Sequence, residues 1–128
     1  MKHKYSFLLL FAFTLLNAEN FYYQNGNKIY LQPLKTQKSI NSDIDYFVDQ
    51  YQRKLGTTDE IIVQLNKDVK IDKILSKYSL SLIRAVGESF YLLRIPNRDD
   101  IFIISAQIYK EDGVKSSNPN FIKQRFMR

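Results

Sequence analysis

The sequence predicts an α+β fold: a ferredoxin-like β-α-β-β-α-β antiparallel sheet with two helices on one face, plus an N-terminal strand/helix extension. Two observations carry this reading. From residue 59 onward, short β-branched runs and helical stripes succeed one another in that order. The chain of 128 residues, 45% apolar with only 4 Gly and 3 Pro, has room for one ordered domain and little tendency to disorder.

In the extension, Phe21-Tyr22-Tyr23 reads as a strand stub, and Asn25-Gly26 is a turn former. Lys28 to Gln32 is a second strand, stopped by Pro33. Lys35 to Ser42 is polar and reads as loop. Asp43 to Leu55 places Ile44, Phe47, Val48 and Tyr51 at the offsets of a helical face, with Gly56 as terminator and Thr57-Thr58-Asp59 as a turn. The nine Tyr and nine Phe read mostly as packing residues.

The later pattern is cleaner. Glu60 to Leu65 alternates, with Ile61, Val63 and Leu65 on one face. Asn66-Lys67-Asp68 is a turn and cap, after which Ile71, Ile74, Leu75 and Tyr78 form one helical stripe broken at Ser79. Leu80 to Val86 and Phe90 to Ile95 are strands around Gly87-Glu88-Ser89, and Pro96-Asn97 closes the pair. Asp99 or Asp100 caps a helix carrying Ile101, Ile104 and Ile108, ended by Gly113. Ile101 to Ile104 alone passes equally for a strand, but the length to Glu111 favours the helix. Val114 to Ser117 is a short last strand.

Ahead of all this, Met1 to Tyr5 is basic, and Ser6 to Leu16 is an apolar run of 11 residues. A bilayer-spanning helix needs roughly 20. With Ala18 before the polar Glu19, the segment has the plan of a secretory signal peptide over 1–18. An N-terminal anchor or a buried first helix is the alternative. The expected location is exported, periplasmic or extracellular. The remaining segments are an extension at 19–58, the main domain at 59–122 and a tail at 123–128.

Composition narrows the chemistry. With no cysteine, neither a disulfide framework nor a thiolate metal site can form. Cleavage removes Lys2 and Lys4, lowering the net charge of +6 by 2 to +4, which speaks for solubility. There is no run of four basic residues and no basic-aromatic groove pattern, so nucleic acid is not an expected partner. The only histidine is His3, so the mature chain has no imidazole to activate any of its serines. The carboxylate groups Asp43/Asp45/Asp49, Asp59/Glu60, Asp99/Asp100 and Glu111/Asp112 read as solvated charges. Asp45 and Asp49 would share a helix face, but no third ligand joins them. Lys67, Lys70, Lys73 and Lys77 read as a polar helix edge. No cofactor, metal or small-molecule ligand is expected.

Three stretches carry a resemblance: Asp59 to Leu65 (DEIIVQL), Ile71 to Ile95 (IDKILSKYSLSLIRAVGESFYLLRI), and Glu111 to Ile122 (EDGVKSSNPNFI). With Tyr78-Ser79 after the first helix and the closing Val114, Pro119, Asn120 and Phe121, residues 59–122 resemble the N-terminal prodomain of subtilisin-family serine proteases, the I9-type inhibitor domain. Residues 28–34 and 44–60 look like the upstream part of longer prodomains. In that family a glycine is usual where this chain has Ser79. The resemblance implies a protease propeptide that inhibits a subtilisin-like serine protease catalytic domain or acts as its folding chaperone. Its tail would enter the substrate cleft as an added strand. Pro119, Asn120, Phe121, Ile122, Phe126, Met127 and Arg128 would then contact the partner.

On that implication the chain is a free-standing inhibitor or an N-terminal fragment of such a protease, and not itself an enzyme. The other class of reading is an exported envelope interaction protein, with a ferredoxin-like domain unrelated to proteolysis.

Overall fold

The computed structural model describes residues 20–34 and 43–123. The expected signal peptide at 1–18 lies outside the described residues, as do Phe126, Met127 and Arg128. Within them the fold is α+β, with antiparallel sheets, two α-helices and a predominance of strand.

The first strands follow from a turn and an alternation. β1 (Phe21–Gln24) and β2 (Asn27–Pro33) pair in antiparallel register from Phe21↔Tyr30 to Gln24↔Asn27. Asn25 and Gly26 supply the two positive φ angles, 52° and 82°, that a two-residue hairpin turn requires. Along β2, Ile29 and Leu31 are buried and their neighbours face water, the period of a half-buried strand.

The helix expected over Asp43 to Leu55 is corrected here: these residues form a hairpin, β3 (Asp45–Asp49) and β4 (Lys54–Thr57). A helical face would bury Phe47 and Tyr51 together. Instead Phe47 packs edge-on against Phe102 at 5.0 Å while Tyr51 is exposed. Tyr46, Phe47 and Val48 are good strand formers, and Asp49 builds the reversal. Its carboxylate accepts from the amides of Tyr51 (2.8 Å) and Arg53 (2.9 Å) and from Arg53 Nε (2.7 Å). Gln52 sits at φ 67° in the tip of this loop. Asp45 and Asp49 therefore lie on a strand, and each has an arginine partner, Arg98 and Arg53 respectively.

Downstream the expected order holds. β5 (Glu60–Leu65) is followed by α1 (Asp72–Tyr78), β6 (Ser81–Val86), β7 (Phe90–Arg94), a 3-10 turn (Arg98–Asp100), α2 (Ile101–Tyr109) and β8 (Val114–Pro119). The helix reading of 101–109 prevails over the strand alternative. Its cap differs from expectation: Asn97 Oδ1 accepts from the amide of Asp99 (3.1 Å), while Asp100 makes no side-chain cap bond. α1 closes on Ser79 in the left-handed region, φ 56°, where glycine is usual. A two-residue strand not expected from sequence, β9 (Ile122–Lys123), ends the described chain.

Two antiparallel sheets result, ordered β1-β2-β3-β4-β9 and β6-β7-β5-β8. Ile61, Val63 and Leu65 of β5, Leu93 of β7, Ile74 of α1, and Ile101, Phe102 and Ile108 of α2 share one buried cluster. Tyr22, Ile29, Leu31 and Leu55 of the first sheet join the same cluster. The sheets thus share a core. At about 25 cal/mol per Å² of apolar surface, that shared burial dominates the favourable side of folding.

A seam groove as candidate functional site

The residues from Pro119 onward stitch the sheets together. Pro119 lies opposite Ile61 in the β5–β8 ladder. The Asn120 amide donates to the Glu60 carbonyl (2.9 Å), and Asn120 Nδ2 donates to Glu60 Oε1 (3.1 Å). Phe121 packs on Tyr22, ring centroids 4.7 Å apart, and approaches Phe102 at 6.4 Å. Ile122 and Lys123 then pair with Gly56 and Leu55 of β4. Pro119 to Ile122, expected to contact a partner as part of an extended tail, are thus engaged within this chain's own fold.

Because the segment is extended, its residues alternate between two surfaces. Asn120 and Ile122 line an open cleft of about 720 Å³ with Asp43, Asp59, Glu60, Arg94 and Arg98. Its two arginines are paired locally: Arg94 Nε lies 3.3 Å from Asp59 Oδ2 and its Nη2 3.8 Å from Glu60 Oε2, and Arg98 Nε lies 2.9 Å from Asp45 Oδ2. Such exposed pairs contribute about 0–1 kcal/mol each.

Pro119, Phe121 and Lys123 line a second groove, of about 290 Å³. One wall is the face of the β6-β7-β5-β8 sheet turned away from Ile61 and Val63. It supplies Ile62, Phe90, Ser116 and Asn118, which the ladders place on one side. The other wall is Tyr22 and Gln24 of β1, Leu55 of β4, and Arg53 from the Asp49 loop. The lining combines apolar Leu55, Ile62, Phe90 and Phe121, the amides of Gln24 and Asn118, the hydroxyls of Tyr22 and Ser116, and two exposed cations, Arg53 and Lys123. Among the described residues no carboxylate lines this groove.

Arg53 is held in place. Its Nε is bound to the buried Asp49 carboxylate, and its guanidinium lies 5.3 Å from the Tyr51 ring centroid. Burial alone pushes Asp49 up, but the Arg53 amide, the guanidinium and the Tyr51 amide outweigh it and hold the carboxyl below its usual range. The same bond to Asp49 raises Arg53 further. Tyr22 is pushed up chiefly by burial, against the opposing charge of Arg53, and so stays neutral near pH 7. A neutral phenol, two cations and amides can bind and orient a ligand, but they do not make a nucleophile–base pair.

Beyond the groove the same sheet face stays open. Val86 (46% exposed) and Phe90 (39%) lie directly opposite each other on β6 and β7. The sequence reading missed Arg53, Ile62 and Phe90. The signal for Arg53 was present in the strand-forming run at 46–48, had the Asp49-to-Arg53 stretch been read as a hairpin loop.

Other clusters resolve into structure. Among the described residues, no group of three or more His, Asp or Glu is placed to hold a metal ion. No described helix is long and apolar enough to cross a membrane.

No curated protein and no solved structure matches the chain. A family model does, over residues 16–127, and its description is Open reading frame 2 N-terminal domain. This overturns the resemblance to the subtilisin-family prodomain and, with it, the I9-type inhibitor and protease propeptide reading. The short stretches that carried that resemblance have their cause in the chain's own fold. Pro119, Asn120 and Phe121 form the seam, and the β5 alternation fills the core, requirements that do not distinguish one family from another. With nearly its whole length matched, the chain belongs to the Open reading frame 2 N-terminal domain family.

Proposed function

We propose that this domain is a non-catalytic interaction module, exported from the cytoplasm and unrelated to proteolysis, that binds a macromolecular partner through the open face of its β6-β7-β5-β8 sheet. The observation that carries the reading is the continuity of apolar surface from the groove at Phe121 and Ile62 out to Phe90 and Val86. Large exposed side chains clustered on a rigid sheet are the usual mark of an interaction surface. The sequence order β5-α1-β6-β7-α2-β8 and the strand order β6-β7-β5-β8 support a ferredoxin-like reading of this half. In such an arrangement the helices cover one face and leave the other free. The basic, then apolar, N-terminal segment supports export.

Site-specific photocrosslinking in the producing cells tests the proposal. A crosslinker at Val86 or Phe90 should give one discrete adduct in the exported fraction, and one at Ile103, exposed on α2, should not. Equal labelling from all three positions, or a chain retained in the cytoplasm, would overturn it.

A further inference from the structure

The groove itself has a chemistry specific enough to name its occupant. Its floor, Ile62, Leu55 and Phe121, offers apolar contact on the scale of one side chain, for at about 290 Å³ it lies at the small end of ligand pockets, which run from about 300 to 1,000 Å³. Arg53 and Lys123, both exposed, are the cations that line it. Asp49 engages Arg53 through Nε, and no partner for the two terminal guanidinium nitrogens occurs among the described residues. Those nitrogens form the fork that suits a carboxylate. With Asp49 neutralising one charge, Lys123 leaves the rim net positive, and no acid lining the groove opposes an incoming anion.

An apolar group and a carboxylate, one residue apart in size, describe the end of a polypeptide chain. The groove also opens toward Phe90 and Val86, a surface that a small free acid would leave bare and that the preceding residues of a chain would cover. Resting on the interaction-module reading, we propose that the groove captures the carboxyl-terminal residue of a polypeptide partner. An aromatic or branched aliphatic side chain would lie against Ile62 and Phe121, and the terminal carboxylate between Arg53 and Lys123. This is recognition of a chain end by fixed cations and an apolar slot.

The test uses the isotope-labelled chain as isolated from its cells, titrated with tripeptides ending in Phe, Leu or Val, with their C-terminal amides, and with 3-phenylpropionate. At least one free-acid peptide should shift Ile62, Phe90 and Phe121 saturably, and its amide should bind more than about tenfold more weakly, since the contacts to both Arg53 and Lys123 lose their charge. Lys123→Gln, at a surface position that leaves the Asp49–Arg53 loop intact, should weaken the acid about three- to tenfold and leave the amide unchanged. Amide binding equal to acid binding would overturn the proposal. So would 3-phenylpropionate binding as tightly as the best peptide, which would make the occupant a free acid. Absence of saturable shifts with all three acids at about 10 mM would overturn it too, since terminal capture at weaker than millimolar affinity is no recognition. If the peptides fail while the Phe90 crosslink persists, the ligand class is wrong and the interaction module stands. If both fail, the module reading falls as well.

Discussion

Gly113 shows how one atom can set a fold's tolerance. It ends the α2 connection at φ 87°, and a Cβ there would stand 2.4 Å from Val69 Cγ2. Both the dihedral and the contact exclude a side chain: a left-handed L-residue costs about 1–2 kcal/mol, and overpacking costs about 1–3 kcal/mol. Gly113→Ala should therefore lower unfolding free energy by about 2–5 kcal/mol in a urea titration. Adding Val69→Ala removes the two methyls that clash but leaves Val69 Cβ at 3.2 Å and the dihedral unchanged, so the double variant should recover only part of the loss. Full recovery would show that the backbone conformation carries no strain. Ser79 poses the milder version of the same problem, a left-handed position filled by a residue that has a Cβ.

At the scale of elements, α1 is fastened to the turn after α2 by a single polar cluster. Tyr78 Oη donates to Glu111 Oε2 at 2.5 Å, and Lys77 Nζ lies 2.7 Å from the same oxygen. Burial first, then the hydrogen bond to Glu111 and its charge, push the Tyr78 phenol up from 10.0 to about 12. Glu111 is held below its ordinary value by Lys77 first and Tyr78 second. The phenol's folded value lies above its unfolded one, so its contribution to stability is complete below pH 10 and is lost as pH rises toward about 12. An ultraviolet tyrosinate titration should show a late phenol near pH 12, told apart from Tyr22, which burial also raises, by its dependence on Glu111. In Glu111→Gln that phenol should move toward the ordinary range without reaching it, because burial remains. An unmoved late phenol would assign the shift to burial alone.

What was legible in the sequence follows the same division. β5 through α2 could be read because one face of each element is apolar at its own period, as in Ile61-Val63-Leu65 and Ile71-Ile74-Leu75-Tyr78. The β3–β4 hairpin could not, since Ile44, Phe47, Val48 and Tyr51 also satisfy a helical spacing. The deciding contact, Asp49 closing the loop through three hydrogen bonds, is a side-chain event that hydrophobic patterning does not record. The candidate groove was half legible. Pro119 and Phe121 stood out as a closing motif, but the Arg53, Ile62 and Phe90 that complete it come from three separate elements brought together by tertiary pairing.

For the whole molecule, the decisive question is what makes two sheets into one cooperative body. Phe121 is the strongest candidate, touching Tyr22 of the first sheet while approaching Phe102 of the helix that covers the second. β9 adds only the two residues Ile122 and Lys123 to β4, so the backbone ladder at the seam is short. The aromatic contact therefore reinforces, at this edge, the coupling that the shared core and the Phe47–Phe102 and Tyr23–Tyr109 contacts supply. Phe121→Ala should cost about 2–4 kcal/mol, since removing a packed phenylalanine leaves a cavity that a β-structure closes poorly. Amide exchange should accelerate first in β3 and β4, while β5 and β7 keep their protection, because losing the seam separates units that otherwise open together. Phe90→Ala, which removes the same side chain from an exposed position, should change stability by no more than about 0.5 kcal/mol and so serves as the control. If the two variants were equally stable, or if exchange rose uniformly over both sheets, the seam would not be the coupling element. The rigidity that binding through fixed Arg53 and Phe121 requires would then rest on the shared core alone.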